Sequence, residues 1–397
     1  MKRIMILGAS ILQLPAIIKA KEMGLEVVAV DMDPHAIGFQ SADFPLTIST
    51  IDIPKVIDAA RQFDVDGVMT LASDMPMRTV AAVAKELNLI GISEDTALKA
   101  TNKALMRECL RQHQVPIPMF FHVAEYENYL DAVREFKGKF IVKPADNSGS
   151  RGVYLVEDPQ DTAAIKYAFE YSKKYSRGGE IVIEEFMEGP EVSVETLSVN
   201  GDVHILAITD KVTTGAPNFV EMGHSQPSCL SNAICDQIKQ VATAAVKAIG
   251  IDHGPSHTEI IVTKEGPKIV ELGARLGGDN ITTHLVPLST GVDMVAACIN
   301  IALGQQPDLK RKINKGSAIC YFATQSGKIT SIQGFDDIQH MPGVKQVSFT
   351  KSVGDILGEI NNSTDRAGFV ITQAEDAVQA LNVCKEALQK VSFTMER

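Results

Sequence analysis

Residues Ile141–Val156 read IVKPADNSGSRGVYLV, and taking this stretch as strand, glycine-bearing loop and strand decides what the rest of the chain can be. Ile141 and Val142 are β-branched and run into Lys143-Pro144, so the lysine stands at a strand end, where proline tolerates the lost amide donor. Ala145 to Gly152 then supplies two glycines, two serines, Asn147 and Arg151. Such a loop can turn its backbone amides toward an anion while Lys143 and Arg151 add full positive charge, as a nucleotide triphosphate requires. An ordinary hairpin with a polar turn is the alternative, and the residues on either side must choose between them.

Downstream, a helix is expected over about Gln160 to Tyr175, and then the pattern changes to period two. Ile181 to Ile183 reads as a strand, Glu184 to Gly189 as a connecting segment and Glu191 to Val199 as a strand. Asn200-Gly201 is a two-residue hairpin turn, followed by a strand over Val203 to Thr209. Glu184, Glu185, Glu188, Glu191 and Glu195 cluster here. Most acidic clusters are solvated surface, but an acidic segment between strands can also read a base edge and a ribose. Thr213 to Gln226 reads as a long loop carrying Glu221 and His224, of the kind that covers a site or is disordered.

The most informative geometry follows helix Asn232 to Ile249, in SHTEIIVTKEGPKIVELGARLGGDN. Strands Thr258 to Thr263 and Pro267 to Leu272 flank the turn Lys264-Glu265-Gly266. Pairing Thr263 with Pro267 sets Ile261 opposite Ile269 and Glu259 opposite Glu271. Two carboxylates directly opposite repel and raise each other's pKa unless a cation lies between them. An oxygen-only donor pair beside triphosphate oxygens favours Mg²⁺, in two ions, with Mn²⁺ as a substitute. The alternative is a bulge that turns one glutamate to solvent. Arg275, four residues beyond Glu271, can set a guanidinium where charge develops during acyl or phosphoryl transfer, or can be a structural ion pair.

Upstream, Ile4 to Leu7, Leu12 to Met23 and Val27 to Val30 form a βαβ unit ending at Asp31. A dinucleotide-binding enzyme is the first thought, but GASILQL holds one glycine where the fingerprint needs three. Strands at Pro45 to Ile48 and Gly67 to Leu71, with helices at Ile53 to Phe63 and Met77 to Leu87, complete an open parallel sheet. Asn102-Lys103 opens an amphipathic helix, closed by Val115-Pro116-Ile117-Pro118. Lys103 on that helix reads as a solvated charge from spacing alone. Beyond Gly304, Ser317 onward forms a smaller α/β tail with no catalytic constellation, whose expected role is structural closure.

With 397 residues, 45% hydrophobic and 22% charged, the chain can bury two to three cores. Its net charge of -11 argues against nucleic acid and anionic membrane as partners, so local basic sites must bind any phosphate. Six cysteines without a CxxC pair point to reduced thiols in a cytoplasmic protein rather than a disulfide frame or zinc site. MKRIMILGAS is too short an apolar run for a signal peptide or a membrane span.

The order TNKALMRECL, IVKPADNSGSRGV, IEEFMEGPEVSVE, HTEII and VELGARLGG resembles the ATP-grasp superfamily over nearly the whole chain. The resemblance includes the preceding sheet domain seen in carbamoyl-phosphate synthetase, glycinamide ribonucleotide synthetase and biotin carboxylase, and a biotin-carboxylase-like C-terminal tail. GARLGG and EMGH are most similar to the L-amino-acid ligases that make dipeptides. The fold so implied is α/β: a doubly wound parallel-sheet domain over 1–93, a two-lobed α+β ATP-grasp domain over 94–306 with a mobile lid lobe at about 118–188, and a small biotin-carboxylase-like α/β domain over 307–397.

The same resemblance implies roles. Lys103 and Lys143 would hold the ATP phosphates under a lid at Asn147 to Gly152, including Ser148, Ser150 and Gly152. Glu184 would meet the adenine amino group, Glu185 and Met187 the ring through their backbones, and Glu191 the ribose. Glu259 and Glu271 would bind metal, although Gly273 stands where relatives often carry an asparagine ligand. Arg275, with Lys143, would be catalytic, steadying an acyl phosphate and tetrahedral intermediate, while Glu221 and His224 would belong to an acceptor pocket. The implied activity is an ATP-dependent carboxylate-amine ligase on amino-acid-type substrates, in an enzyme whose relatives commonly form homodimers. Glycinamide ribonucleotide or carbamoyl-phosphate chemistry, and a non-catalytic ATP-binding protein, remain open at this point.

Overall fold

The computed structural model describes residues 1–147, 149, 151–216 and 218–396. Strands β1 (Arg3–Leu7), β2 (Glu26–Asp31), β3 (Phe44–Thr47) and β4 (Gly67–Met69) pair in parallel in the order β3-β2-β1-β4. Helix α1 (Leu14–Glu22) connects β1 to β2, α2 (Ile53–Gln62) connects β3 to β4, and α3 (Met77–Glu86) follows β4. Because side chains alternate along a strand, Ile4 and Ile6 join the core of α1 on one face, while Met5 and Leu7 join that of α2 and α3 on the other. Burial of each such side chain stabilises by about 1.5–3 kcal/mol. This is the doubly wound sheet expected. Asp31 spends its carboxylate on its own turns, accepting from the amides of Ala9 at 2.8 Å and Asp33 at 3.0 Å, so the βαβ unit is closed by its own acid.

Helices α4 (Glu94–Ala100) and α5 (Lys103–Gln112) lead into a second sheet. Asn102 caps α5 by accepting from the amides of Ala104 and Leu105, which fixes Lys103 as its first residue. Strands β5 (Phe120–Val123), β6 (Phe140–Pro144), β7 (Tyr154–Val156) and β8 (Ile181–Glu185) pair antiparallel in the order β5-β8-β6-β7. Helices α6 (Tyr126–Val133) and α7 (Thr162–Tyr175) cover this sheet through Tyr129, Phe140 and Phe169. Glu184 and Glu185, read from sequence as a connection, are the last two residues of β8.

The third sheet holds the molecule together. In chain order come β9 (Glu191–Val199), β10 (Asp202–Thr213), β11 (Glu221–Gln226), helix α8 (Asn232–Ile249), β12 (Gly254–Thr263) and β13 (Gly266–Gly273). A π-helical turn at Ile281–Leu285 leads into α9 (Val286–Thr290) and α10 (Met294–Ala302). The remaining elements are β14 (Gly316–Tyr321), β15 (Gly327–Gln333), α11 (Phe335–Gln339), β16 (Val344–Phe349), β17 (Ile356–Leu357), β18 (Gly368–Ala374), α12 (Ala377–Lys390) and β19 (Ser392–Glu396). Eight strands pair in the order β13-β12-β9-β10-β11-β14-β18-β16, and β17-β15-β19 form a small fourth sheet. The eight-stranded sheet runs across position 307, because β11 and β14 pair directly.

Two differences from the sequence reading bear on the site. The segment Thr213 to Gln226 is not one long loop. Strand β10 continues to Thr213, and Glu221–Gln226 forms β11 between β10 and β14. EMGHSQ has no β-branched apolar run, so its strand state comes from the partners on both sides rather than from propensity. The β12-β13 hairpin also turns more tightly than expected. Thr263 pairs with Gly266 and Ile261 with Lys268, one residue out of the anticipated register. A bulge between Glu259 and Ile260 then restores it, and Glu259 stands opposite Glu271.

Among the described residues no single helix is long and apolar enough to cross a membrane.

Candidate active site

A cleft opens between the sheet of β5 to β8 and the edge of the eight-stranded sheet. Lys103, Lys143, Glu184 and Asn147 line one side, and Glu191, Lys211, Glu259 and Glu271 the other. Lysine at the first position of a helix opposes the helix dipole, so Lys103 needs anions to hold it there. Its Nζ donates to the Asn147 carbonyl at 2.6 Å and to Glu271 Oε1 at 2.8 Å.

Lys143, buried on β6, donates to Glu184 Oε2 at 2.7 Å. Glu184 is also gripped by Arg107, with Nε at 2.6 Å from Oε1 and Nη2 at 3.0 Å from Oε2, and Nη2 further reaches the Val270 carbonyl at the bulge. Burial pushes the Glu184 carboxyl up, but Arg107 and Lys143 outweigh it and hold it down to about 2. The two ends of this pair behave differently. Lys143 has one carboxylate and two like-charged neighbours, Arg107 and Lys103, so burial wins and its ammonium lies below the usual lysine range. The protein thus leaves Lys143 short of negative charge. The Glu184 carboxylate thus clamps the cation wall, with Arg107 on Oε1 and both Arg107 and Lys143 on Oε2.

Lys211, near the end of β10, is buried among three carboxylates: Glu191 at 2.5 Å, Glu259 at 3.3 Å and Glu221 at 3.6 Å. Burial works against its charge, yet Glu259, Glu191 and Glu221 together raise its pKa well above the ordinary value. One ammonium does not satisfy three acids. Burial, only partly offset by Lys211 and reinforced by Glu259, raises Glu191. Glu259 goes the other way: burial opposes, but Lys211 and His257 hold it well below the carboxylate range. Burial works against the charge on His257, but Glu195 and Glu259 outweigh it and raise the imidazole to about 9. The ring therefore donates from Nδ1 to Glu195 Oε1 at 2.7 Å and from Nε2 to Glu259 Oε1 at 3.3 Å.

This excess of carboxylate is the test of a metal. Among the described residues no three His, Cys, Asp or Glu side chains are grouped to hold an ion. What the chain offers is a facing pair of oxygen donors, Glu259 and Glu271, in a cleft that is short of positive charge on that wall. That donor set fits Mg²⁺, which keeps waters and takes phosphate oxygens for the rest of its shell.

Arg275 donates from Nε to Asp74 Oδ1 at 3.0 Å, tying the site to the loop after β4. A Cβ at Gly273 would lie 2.7 Å from that same Asp74 oxygen and 3.3 Å from Arg275 Nε, so a side chain there would displace the Asp74–Arg275 contact. Glu221 lines the cleft. His224 is buried instead, with Nε2 at 3.2 Å from Asp279 Oδ2. Glu185 and Met187 line the cleft, and the Glu185 side chain accepts from Lys268 at 2.8 Å. Gly152, at φ +78, lies where a Cβ would meet Tyr175 and Pro144 within 2.7 Å, so only glycine fits that end of the loop between β6 and β7. Ser148 and Ser150 lie outside the described residues.

Residues 136–283 match the family model of the ATP-grasp domain. Residues 136–283 therefore carry an ATP-grasp domain. ATP and Mg²⁺ are the cosubstrate and metal of this family. Residues 320–396 match L-amino acid ligase C-terminal domain 2. A protein of Sinorhizobium fredii described as uncharacterized is 27% identical over 84% of this chain and 69% of its own length. A phosphoribosylamine–glycine ligase of Methanococcus maripaludis is 23% identical over 86% of this chain and 82% of its own. The crystal structure of an L-amino acid ligase from Bacillus licheniformis superposes with a TM-score of 0.87 at 24% identity, covering 100% of this chain and 99% of that one.

Sequence reasoning missed Arg107, Lys211 and Asp74. Arg107 was discoverable, since it lies one helical turn from Lys103 and therefore on the same face. Lys211 was hidden by ending β10 at Thr209.

Proposed function

We propose that this chain is an ATP-dependent carboxylate-amine ligase that joins amino-acid-type substrates through an acyl phosphate. The observation that carries the proposal is the cleft's division of charge: Lys103, Lys143 and Lys211 are buried around it, and Lys143 lacks negative charge that a triphosphate would supply. Lys103 and Lys143 hold the phosphates, Glu185–Met187 read the base through the backbone, and Glu191 meets the ribose.

In the first step a carboxylate oxygen of the donor attacks the γ-phosphorus; the new O–P bond forms as the β–γ bridge breaks and ADP departs. In the second, the unprotonated amine attacks the acyl carbon, inorganic phosphate leaves, and the nitrogen loses its extra proton. Arg275, held by Asp74, faces the oxyanion of that second step. Glu259 and Glu271 would hold two Mg²⁺ ions, which neutralise charge on the transferring phosphoryl group. Lid closure by the Asn147–Gly152 loop keeps water from the acyl phosphate.

Amino-acid substrates are supported by the match of 320–396 to the L-amino acid ligase C-terminal domain and by Glu221, a carboxylate in the cleft wall suited to an ammonium. A second reading, glycine with phosphoribosylamine, is supported by the likeness to the Methanococcus maripaludis enzyme. ADP release with MgATP against amino-acid pairs, and against glycine plus phosphoribosylamine, separates them. A product mass equal to two amino acids less water supports the first reading; ADP release only with phosphoribosylamine supports the second.

A further inference from the structure

The C-terminal unit, expected only to close the fold, reaches the acceptor side of the cleft through one side chain. Arg366 donates from Nη1 to the Glu221 carbonyl at 3.0 Å. It also grips Asp279 with both terminal nitrogens, each at 2.8 Å. Asp279 in turn meets His224 Nε2 at 3.2 Å. One guanidinium therefore holds both ends of EMGH, the cleft-lining Glu221 through its backbone and the buried His224 behind it through Asp279.

The arginine is itself fixed in advance. Its Nε donates to the Ser363 carbonyl at 2.8 Å, and its Cζ lies 3.6 Å from the centroid of the Tyr321 ring. The turn Ser363–Asp365 that delivers it is closed by a capping box between Asn362 and Asp365. A second tie lies nearby: Asn218 Nδ2 donates to Asn361 Oδ1 at 3.0 Å and to the Ile360 carbonyl at 3.3 Å. Between the two ties stands Phe219, a cleft-lining residue at φ +50, a conformation a bulky side chain keeps only when its surroundings impose it. Asp279 and Asn280 occupy the left-handed region as well, at φ +51 and +60.

We propose that Arg366 is a positioning residue for the amine acceptor: the segment 360–366 latches the wall that carries Phe219, Glu221 and His224, and so sets affinity for the acceptor but not for the nucleotide. The identity of the ligand rests on the amide-ligase reading; the latch itself does not.

The test uses the full-length chain and the variants Arg366→Met, Arg366→Lys and Asn218→Ala. Amide hydrogen exchange is read over 219–226, KM for each substrate from ADP release, and nucleotide affinity from ADP titration. Arg366→Met speeds exchange in that segment and raises the acceptor KM by about tenfold or more, with ADP affinity held within about twofold. Arg366→Lys recovers part of the loss, because an ammonium can serve Asp279 but cannot span both partners. Asn218→Ala, which removes one tie and leaves no charge buried, shifts the same two readouts in the same direction by a smaller factor and keeps the latch testable if Arg366→Met does not fold. Unchanged exchange over 219–226, or a loss shared equally by ADP and acceptor, overturns the proposal. A wild-type chain that releases no ADP with any amine defeats the ligase reading, while the exchange result still decides the latch.

Discussion

Asp74 Oδ1 accepts a hydrogen bond from Arg275 Nε at 3.0 Å, across 201 positions of sequence. The contact joins the loop after β4 to the arginine proposed to meet the developing oxyanion, whose Nη1 also donates to the Leu276 carbonyl at 3.3 Å. Asp74→Asn keeps the shape and removes the charge that holds Arg275. Turnover should fall on the order of 10²-fold, as misplacement of a reacting group by about 1 Å does, while ADP affinity stays within about twofold. Steady-state ADP release beside an ADP titration checks this, and equal losses in both would assign Asp74 a role in nucleotide binding instead.

Lys143 makes nucleotide affinity depend on pH. Its ammonium lies below the ordinary lysine range because burial outweighs Glu184, and bound phosphates would restore the missing negative charge. Affinity is therefore full below the depressed pKa and weakens as pH rises through it, since binding must then take up a proton. Titration of MgADP from about pH 7.5 to about pH 10 should show the dissociation constant rising before a normal lysine near 10.4 would deprotonate. Lys143→Arg, which stays charged throughout, should flatten that rise. A flat wild-type profile would mean that Lys143 does not meet the phosphates.

Glu271 should matter to the metal and to the fold. Its ion pair with Lys103 joins a glutamate side chain about a third accessible to a lysine side chain that is 10% accessible, so Glu271→Ala should lower stability by about 1–3 kcal/mol. Loss of half the facing carboxylate pair should raise the Mg²⁺ concentration for half-maximal ADP release by about tenfold or more and cut turnover at saturating metal. Chemical denaturation and a Mg²⁺ titration of the same preparation test both halves. A normal Mg²⁺ requirement in the variant would remove Glu271 from the metal site.

The parts of the site visible from sequence are those whose local pattern is strong. A lysine at a strand end before a glycine-bearing loop, and two glutamates equidistant from a hairpin turn, carry their geometry in their spacing. Even there the outcome depended on more than spacing: the anticipated hairpin register is one residue out, and Glu259 meets Glu271 because a bulge compensates. Lys211, Asp74 and Arg366 were not legible because each acts through tertiary contacts. Lys211 sits on a strand extension with no apolar alternation, Asp74 reaches its partner from another sheet, and Arg366 lies in a tail whose own sequence holds no constellation. β11 shows the same rule at the level of the backbone, a polar segment made into a strand by its two neighbours.

The central claim is that a carboxylate is activated by phosphorylation before an amine displaces the phosphate. Single-turnover reaction of a donor labelled with heavy oxygen in its carboxylate, followed by mass analysis of the released phosphate, tests it most directly. The account predicts one labelled oxygen in each inorganic phosphate formed with amide product, carried across the acyl phosphate bridge. Phosphate with no label, in a reaction that still makes ADP and amide, would contradict it.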